Sequence, residues 1–370
     1  MPFVTVHLLH ALPLHNLNRD QSGLPKSQFD GGVQRARLSS QALKRAARSA
    51  YLGSGTGTSL RTKNAADIAL GHAVAFAQSK DLPFDEKTGR AAIKKVVDGL
   101  AKATKETKLE ATEPESSAVE EKDNILFFAK KELVTLGHAA VDRQQNSSAL
   151  VRDDILLDAT SPSLDVAAFG RMFAAATEVG THAAIAVSHA ATTHQMALTS
   201  DYFSAVDDAS AENHSGAAHI GMAYYTSGVY YRTFTIDTDQ LRRSWSSIDA
   251  PGAADDLGDL TRALILALPT GRLSNSNAHT QPLLVLAEQQ RMRTAYEFDT
   301  PVAAEGEGGY KKGSVARLAE QRRLAQRFDP ANFSGAVLAG QTYDEDFAGA
   351  ECGESIDAVV DFVVTKVLGV

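Results

Sequence analysis

The sequence contains very little cysteine and no long apolar run. Cys352 is the single cysteine among 370 residues, which excludes an internal disulfide framework and a cysteine-based zinc site. No apolar stretch approaches the ~20 residues that span a bilayer, so no membrane segment is expected. The first residues, MPFVTVHLLHALPLH, lack a basic leader and a small-residue cleavage site, so we expect no signal peptide. Together these absences favour a cytoplasmic protein.

Acidic residues are scarce at the start of the chain, although the whole chain carries a formal net charge of -8. Residues 1–63 hold nine lysines and arginines against Asp20 and Asp30, a net charge of +7 that leaves -15 for the remainder. Five of the nine lie between Arg35 and Arg48, with no acid among them. This polarity is typical of a local anion-binding surface, and equally of an ordinary solvated basic face.

The periodicity of this basic segment predicts a strand and then a helix. Residues 3–9, FVTVHLL, are apolar and β-branched and predict the first strand. After a polar loop, Ser39 is a plausible N-cap for a helix. The helix would bury one arc and present the opposite arc to solvent. The buried arc holds Leu43, Ala46, Ala47, Ala50 and Tyr51, and the exposed arc holds Lys44, Arg45 and Arg48.

The rest of the chain alternates between helical and strand patterns. Residues 64–180 predict a helical insertion, whose segment 102–124 has no aromatic residue and predicts an exposed tip. Residues 223–237 predict two strands around Thr226-Ser227-Gly228, and a helix and a final strand follow. The valines of residues 356–367 predict a last helix. The order suggests an α+β, ferredoxin-like core, the topology of RNA-recognition domains.

Motifs for catalysis or metal binding are weak. The histidines are spaced by seven and five residues where zinc sites favour i, i+4 pairs, so packed histidines are the better interpretation (His182, His189, His194, His214 and His219). No GxSxG motif is present, and Cys352 lies in an acidic stretch that does not favour a thiolate. The aspartate pairs 207–208 and 255–256 resemble turn or cap residues. We therefore expect no catalytic centre, no metal and no cofactor.

Two segments suit phosphate groups instead. Ser39, Ser40 and Gln41 precede Lys44 and its neighbouring cations, which places N–H groups and the helix dipole before point charges. The segment PTGR lacks the spacing of a nucleotide P-loop, but it offers backbone N–H groups and the Arg272 guanidinium to a phosphodiester. The implied binding is to a nucleic-acid backbone and independent of base sequence.

Five ordered motifs carry a resemblance to a known family. NLNRD, GGVQRARLSSQALKRAAR, DYFSAVDD, GAAHIG followed by SGVYYR, and PTGR with SNSNAH occur in that order between Asn16 and His279. Together they resemble the CasC family, the backbone subunits of the type I-E CRISPR Cascade antiviral complex. The resemblance covers nearly the whole chain, and the helical insertion is its least distinctive part.

The resemblance implies an RNA-recognition-like palm, a helical fingers insertion and a thumb β-hairpin. Mapped onto this sequence, residues 1–63, 181–198 and 229–370 form the palm, 64–180 the fingers and 199–228 the thumb. Copies of such a subunit polymerise along one CRISPR RNA, and each thumb inserts between nucleotides at the neighbouring palm. The flanking bases stay exposed for pairing with target DNA. Further partners are the 5'-handle-binding subunit, the hairpin-binding endonuclease subunit, and the large and small Cascade subunits.

The family's RNA-binding positions transfer onto matching residues of this sequence. Arg19 and Lys26 correspond to basic loop contacts, and Met172 to a fingers residue at the kink. The helix that grips phosphates supplies Ser40, Gln41, Lys44, Arg45 and Arg48. The thumb wedge corresponds to Phe203, Ser204 and Val206. The assignment of Arg272 as an RNA contact is the weaker inference. The family often has Thr at position 204 and Lys at position 272, so both are mild departures.

Two rival functions belong to the same superfamily. One is a metal-dependent ribonuclease that cuts bound RNA with a palm-loop aspartate, for which Asp20 stands in the comparable loop. Asp20 follows Arg19 inside NRD and is better interpreted as a structural partner. The other rival is a CRISPR RNA-processing endonuclease acting as a monomer, against which the ordered thumb and palm motifs speak.

Overall fold

The computed structural model describes residues 1–55, 57–101, 125–155, 159–205, 219–306 and 308–369. The strands are β1 Phe3–His15, β2 Ser27–Asp30, β3 Val33–Leu38, β4 Ser59–Thr62, β5 Leu126–Ala129, β6 Ile185–Val187, β7 Ala190–Thr192, β8 Thr199–Ala205, β9 His219–Asp237, β10 Leu284–Gln290, β11 Phe333–Gly340 and β12 Ala350–Cys352. The helices are α1 Ser40–Gly53, α2 Ala65–Lys80, α3 Glu86–Ala101, α4 Lys130–Gln145, α5 Leu164–Phe169, α6 Thr238–Ser244, α7 Ala253–Leu266, α8 Leu273–Ser276, α9 Lys311–Phe328 and α10 Ile356–Leu368. The predicted tip, 102–124, lies outside the described residues.

The chain divides into two compact units. Unit 1 comprises Met1–Tyr51, Ala186–Asp237 and Gly258–Val370, and unit 2 comprises Leu52–Ile185 and Thr238–Leu257. Within the described ranges, no helix is both long and apolar enough to cross a bilayer.

A large, mostly antiparallel sheet organises unit 1. Its strand order is β12-β11-β10-β1-β9-β7-β3-β2, and β8 pairs with the first part of β9. β1 lies at the centre, antiparallel to both β9 and β10. Its residues from Val4 to Leu9 are all buried, because both faces of the strand are covered. The polar side chains of Thr5 and His7 are therefore buried as well, and they have hydrogen-bond partners inside the fold, Gln290 for Thr5 and Tyr231 for His7.

The strands beyond β1 differ from the prediction in two ways. Residues 223–237 belong to one continuous strand, so the predicted break at Thr226-Ser227-Gly228 is wrong. β1 is long enough to pair across this segment, with Leu12 opposite Gly228 and a bulge before His15 pairs with Thr226. The strand predicted as final, now β10, is followed by β11 and by the parallel edge strand β12.

Helices cover the two faces of this sheet. Leu9 packs in a cluster with Val315 and Leu318 of α9. Leu12 packs in another cluster with Leu43 of α1. Residues three apart on a strand point to opposite faces, so α1 and α9 lie on opposite sides of the sheet.

A buried polar network joins α9 to the sheet. Arg322 Nε donates to Glu288 Oε1 at 2.7 Å, and the Tyr296 hydroxyl donates to Oε2 at 2.6 Å. His7 Nε2 lies 3.2 Å from the same Oε2. Burial by itself raises the pKa of Glu288, but the contacts with His7, Arg322 and Tyr296 outweigh it and lower the pKa to about 2. The positive charge of Arg322 is therefore paired inside the fold and is not available to a ligand.

Unit 2 contains a helical cluster built on small residues. Ala65, Ala69, Ala73 and Ala77 form the buried stripe of α2. A Cβ at Gly137 of α4 would lie 2.5 Å from the Ala69 carbonyl oxygen, so only glycine allows this close approach of the two helices. The mixed α/β architecture confirms the predicted fold class, and α10 confirms the predicted last helix.

Candidate nucleic-acid interface

α1 begins one residue after β3 and buries one side against the sheet. Leu43, Ala47 and Tyr51 are buried, as predicted. Ala50 was expected on the same arc but is exposed, so the buried arc is narrower than predicted. Arg45 is exposed, while Lys44 and Arg48 are half-buried. The helix therefore presents its cations at the surface of unit 1, although two of the three stems are partly covered.

The N-terminus of α1 is held by protein groups. Ser39 Oγ accepts from the Ala42 N–H at 3.3 Å, which confirms Ser39 as the N-cap. The Ser40 N–H donates to His189 Nδ1 at 2.8 Å. These two N–H groups are already bonded, so the predicted use of the helix start as a backbone cradle for phosphate is weakened. The side chains of Ser40 and Gln41 remain as the polar groups at this end.

His189 belongs to this site although sequence spacing did not single it out. Burial, and then the charges of Arg37 and Lys26, hold the pKa of His189 below its usual value. A neutral ring that accepts at Nδ1 carries its proton on Nε2. His189 therefore fixes the start of α1 without adding a positive charge to the cluster.

The loop of residues 16–26 is closed by its own hydrogen bonds. Asp20 Oδ1 accepts from the Ser22 N–H at 2.8 Å and from the Leu24 N–H at 3.0 Å. The Lys26 N–H donates to the Asn18 carbonyl at 2.9 Å. Asp20 thus has a structural role in the loop, while Arg19 is exposed and Lys26 is half-buried. No group of three metal-ligating side chains occurs among the residues that the structure describes.

The PTGR segment packs directly against this loop. A Cβ at Gly271 would lie 2.4 Å from the Leu17 carbonyl oxygen, so the two backbones touch only because position 271 is glycine. Arg272 follows with a left-handed φ of 46° and begins the short helix α8. Its side chain is half-buried. Two motifs more than 250 residues apart in sequence therefore meet in one place.

An open cleft of about 650 Å³ lies where α1 and these two loops come together. Its walls include Arg45 and Ser49 of α1, Asn18 of the first loop, and Thr270 and Gly271 of the second. His279 completes the lining. Lys44 and Arg48 are not among the lining residues. The structure thus brings Arg45, the NLNRD loop and PTGR around one cleft, with Lys44 and Arg48 on the adjoining face of α1.

Not every cation of the basic segment is available to a ligand. Arg35 is buried, and its guanidinium donates to four carbonyl oxygens, those of Asp30, Thr192, Phe298 and Asp299. A buried guanidinium whose donors are all directed to backbone oxygens stabilises the fold. The number of cations between Arg35 and Arg48 is therefore larger than the number that can contact a ligand.

Met172 is positioned by its neighbours in unit 2. Arg171 is buried, and its Nη1 donates to both oxygens of Glu132 at 2.8 and 2.7 Å. Phe173 is also buried, against Phe128. With both neighbours anchored inward, Met172 projects outward with 79% of its surface exposed.

The wedge residues lie on or beyond the pair formed by β8 and β9. Phe203 stands opposite Gly221, and a Cβ at Gly221 would lie 2.5 Å from Phe203 Cζ. The ring therefore packs over the glycine and stays partly exposed, and Ser204 beside it is exposed. Val206 lies outside the described residues, as do Asp207, Asp208 and His214.

His194 has ordinary partners inside the fold. His194 Nε2 accepts from the Val229 N–H at 3.2 Å, and its ring stacks on Tyr310 at 3.6 Å. Burial lowers the pKa of His194. For His194 these contacts agree with the interpretation of a packed, hydrogen-bonded histidine, whereas His182 is exposed.

One exposed aromatic residue near the basic loop was missed. Phe29 of β2 is 78% exposed, three residues after Lys26. Its hairpin is pinned by Gly31, whose Cα lies against the Asp299 carbonyl. The alternation of Ser27, Gln28, Phe29 and Asp30 gave too short a pattern to assign a face, so only the structure shows the ring exposed.

Comparisons with known proteins agree with the architecture. One chain of a solved structure described as "CRISPR RNA-guided surveillance complex, pre-nicking" superimposes with a TM-score of 0.78 and 24% identity, covering 99% of this chain and 100% of that one. A chain of a second structure, described as "CRISPR RNA-guided surveillance complex", has a TM-score of 0.63 and 21% identity, covering 98% and 99%. These likenesses show the fold. No curated protein matches the chain.

The family is given by a sequence model that spans almost the whole chain. The model of the CT1975-like proteins, Cas_CT1975, matches residues 4–362. This match covers every motif from NLNRD to SNSNAH and confirms that the resemblance drawn from them is a family relationship. The chain is a member of the CT1975-like protein family.

Proposed function

We propose that this protein is a non-catalytic, CRISPR RNA-binding backbone subunit of a type I-E Cascade complex. The observation that carries the proposal is the cleft of unit 1, where Arg45, the NLNRD loop and the PTGR loop meet. Family membership and the fold shared with chains of CRISPR RNA-guided surveillance complexes support it.

The chemistry of the cleft suits a phosphate backbone. Arginine offers planar, paired donors to phosphate oxygens, and Arg45 lines the cleft while Arg19 and Arg272 extend from the two loops beside it. Lys44 and Arg48 add charge on the adjoining face of α1. Groups that bind only phosphates leave base edges free, so base reading is delegated to pairing with target DNA.

Assembly along one RNA is the second part of the proposal. One subunit with a few phosphate contacts binds weakly and is sensitive to salt. Copies that polymerise along the same strand multiply those contacts, which raises the overall avidity. The wedge residues Phe203, Ser204 and Val206 would unstack one base step per subunit at a cost of a few kcal/mol, offset by contacts between subunits and with RNA. Met172 would pack at the kink.

The proposal that the protein is not catalytic rests on the structural role of Asp20 in its loop. Its Oδ1 accepts two hydrogen bonds that close its own loop, so the carboxylate has a structural explanation. The ribonuclease alternative requires magnesium-dependent cuts in bound RNA that disappear in Asp20→Asn.

Nuclease protection of co-purified RNA tests the proposal. The protein is expressed with its partner subunits, with and without a CRISPR array, and the bound RNA is digested and sequenced. We expect protected RNA of one guide length with regularly spaced reactive nucleotides. Regular cuts that require magnesium would support the ribonuclease instead, and no bound RNA with the partners present would refute the scaffold.

A further inference from the structure

α9 is the most basic helix that the described residues contain outside the proposed interface. Its 18 residues carry six lysines and arginines and one acid, Glu320, in a chain whose net charge is negative. Sequence analysis did not single it out, and the proposed function gives it no role. Its cations therefore need an explanation of their own.

Two of these cations are paired inside the protein. Arg322 is buried on Glu288 and also donates to the Ala348 carbonyl at 2.8 Å. Arg317 lies 3.5 Å from Glu320, one turn along the helix. These contacts account for the only acid of the helix and for its buried arginine.

Arg323 and Arg327 are different. Both are exposed, and within the described parts of the chain neither has a carboxylate oxygen within 4.0 Å. They stand four residues apart, so their side chains leave the same face of the helix about 6 Å apart. Two unpaired guanidinium groups at this spacing form a local anion-binding surface.

An exposed aromatic ring ends the same helix. Phe328 is 92% exposed, the largest value among the exposed large apolar side chains of the described residues, and Leu324 beside it is 40% exposed. The nearest acid along the chain, Asp329, is paired with Arg291 at 3.1 Å. Arg327 directly precedes the ring in the sequence, and the acid that follows it, Asp329, is already paired.

The composition of this surface favours a nucleic acid over a protein partner. One phenylalanine ring and part of a leucine expose about 200–250 Å² of apolar area, which is less than the largest apolar patch that an ordinary monomer exposes, about 300–600 Å². A single ring flanked by arginines instead matches the way proteins hold single strands, by stacking on bases and pairing with phosphates.

We infer that the C-terminal end of α9, formed by Arg323, Arg327 and Phe328, binds single-stranded nucleic acid. Phe328 stacks on a base, and the two guanidinium groups on the neighbouring face of the helix contact phosphates of the same strand. The strand differs from the one at α1, because α1 and α9 lie on opposite faces of the sheet. The inference stands independently of the role proposed for α1.

Binding of an unpaired strand to the assembled protein tests this inference. The probe is a fluorescein-labelled oligothymidylate of about 15 nucleotides, which cannot pair with a mixed-sequence guide. Anisotropy is measured on the protein as purified with its partner subunits, whether or not guide RNA is bound, over about 50 to 200 mM salt. Arg323→Gln with Arg327→Gln should weaken binding about tenfold or more and reduce the salt slope by about 1.4, the value for two lost phosphate contacts on a single strand.

The ring is tested separately from the charges. Phe328→Ala should weaken binding about tenfold with an unchanged salt slope, and Phe328→Trp should restore it, because stacking depends on a planar surface. Lys94→Gln with Lys95→Gln on α3, an exposed pair with the same change in charge, should leave affinity unchanged.

Three results would overturn the inference. The first is an unmodified protein that does not bind the probe, and the second is a loss in the α9 variants no larger than in the α3 control. The third is an α9 variant that changes the sedimentation of the assembled particle but not probe binding, which would make the surface a protein contact. The yield of guide-length RNA reports on α1 alone, so failure of the proposed function appears there and not in the probe assay.

Discussion

Two basic helices, α1 and α9, lie on opposite faces of the same sheet and use their charges differently. On α1, Lys44, Arg45 and Arg48 reach the surface, and Arg45 lines a cleft shared with two loops. On α9, Arg322 is buried on Glu288 and holds the helix to the sheet. The contrast teaches that the number of cations in a segment does not measure its binding surface. Arg35 makes the same point beside α1, because its guanidinium donates four hydrogen bonds to backbone carbonyl oxygens inside the fold.

The largest effect is expected from reversing the charges of α1. Lys44→Glu with Arg48→Glu should abolish assembly on RNA, because four units of charge change on the face that would contact phosphates. Since neither side chain belongs to the buried core, the fold should persist, and circular dichroism should be unchanged. RNA yield after co-expression with a CRISPR array measures the effect. A folded double mutant that retains full-length guide RNA would show that α1 does not bind the RNA backbone.

The next effect separates a binding arginine from a structural one. Arg322→Met should lower the free energy of unfolding by about 3–5 kcal/mol, because it leaves Glu288 buried without its main counter-charge. Arg45→Met should change the free energy of unfolding by less than about 0.5 kcal/mol and yet weaken RNA binding. Denaturant titration and RNA yield, measured on both variants, check the contrast. Equal stability losses in the two variants would contradict it.

A smaller effect comes from the acid that pairs with α9. The folded-state pKa of Glu288 is about 2, against an ordinary value of 4.5, so its stabilisation is complete above pH 4.5 and is lost as the pH falls through 2. The shift corresponds to roughly 3 kcal/mol of unfolding free energy at most. Denaturant titrations between about pH 5 and 2 should show this loss in the unmodified protein. Glu288→Gln should flatten the profile in that window, and an identical profile would assign the acid sensitivity to other carboxylates.

The smallest effect concerns the wedge residue Phe203 and the stacking of bases, not the binding of phosphates. Phe203→Ala should leave RNA binding nearly unchanged, because the ring contacts no phosphate in the proposed arrangement. It should instead weaken the regular pattern of reactive nucleotides in the protected RNA, since one stacking ring per subunit is lost. Phe203→Tyr serves as the matched control. Chemical probing that shows the same pattern in Phe203→Ala would exclude Phe203 from the wedge.

Local patterns predicted much of the fold and part of the site. β1, α1, the cap at Ser39 and α10 followed from periodicity and capping, because their signals are contained within one segment. The continuity of β9 did not, because it depends on pairing with a long β1 more than 200 residues away. The exposure of Ala50 and the burial of Arg35 also depend on neighbours that a helical wheel or a charge count does not include.

The contact between the NLNRD and PTGR motifs also could not be predicted from local sequence patterns. PTGR was identified as a phosphate-binding candidate, but its contact with Leu17 through Gly271 is a tertiary fact. His189 was considered as a metal ligand and proved to be the partner of the Ser40 N–H. Phe29, Arg323, Arg327 and Phe328 carry no motif, and only their exposure in the folded chain distinguishes them. All the assignments to RNA contacts stay predictions: Arg19, Lys26, Ser40, Gln41, Lys44, Arg45, Arg48, Met172, Phe203, Ser204, Val206 and Arg272.

Crosslinking of co-purified guide RNA to the protein, read out by mass spectrometry, tests the central claim most directly. The account predicts crosslinked peptides from residues 17–26 and 39–48 and from the segment around Arg272. It also predicts that those from α1 disappear in Lys44→Glu with Arg48→Glu. Guide RNA crosslinked only outside unit 1, or crosslinked to α1 equally well in the double mutant, would contradict the claim that this face of the sheet holds the RNA backbone.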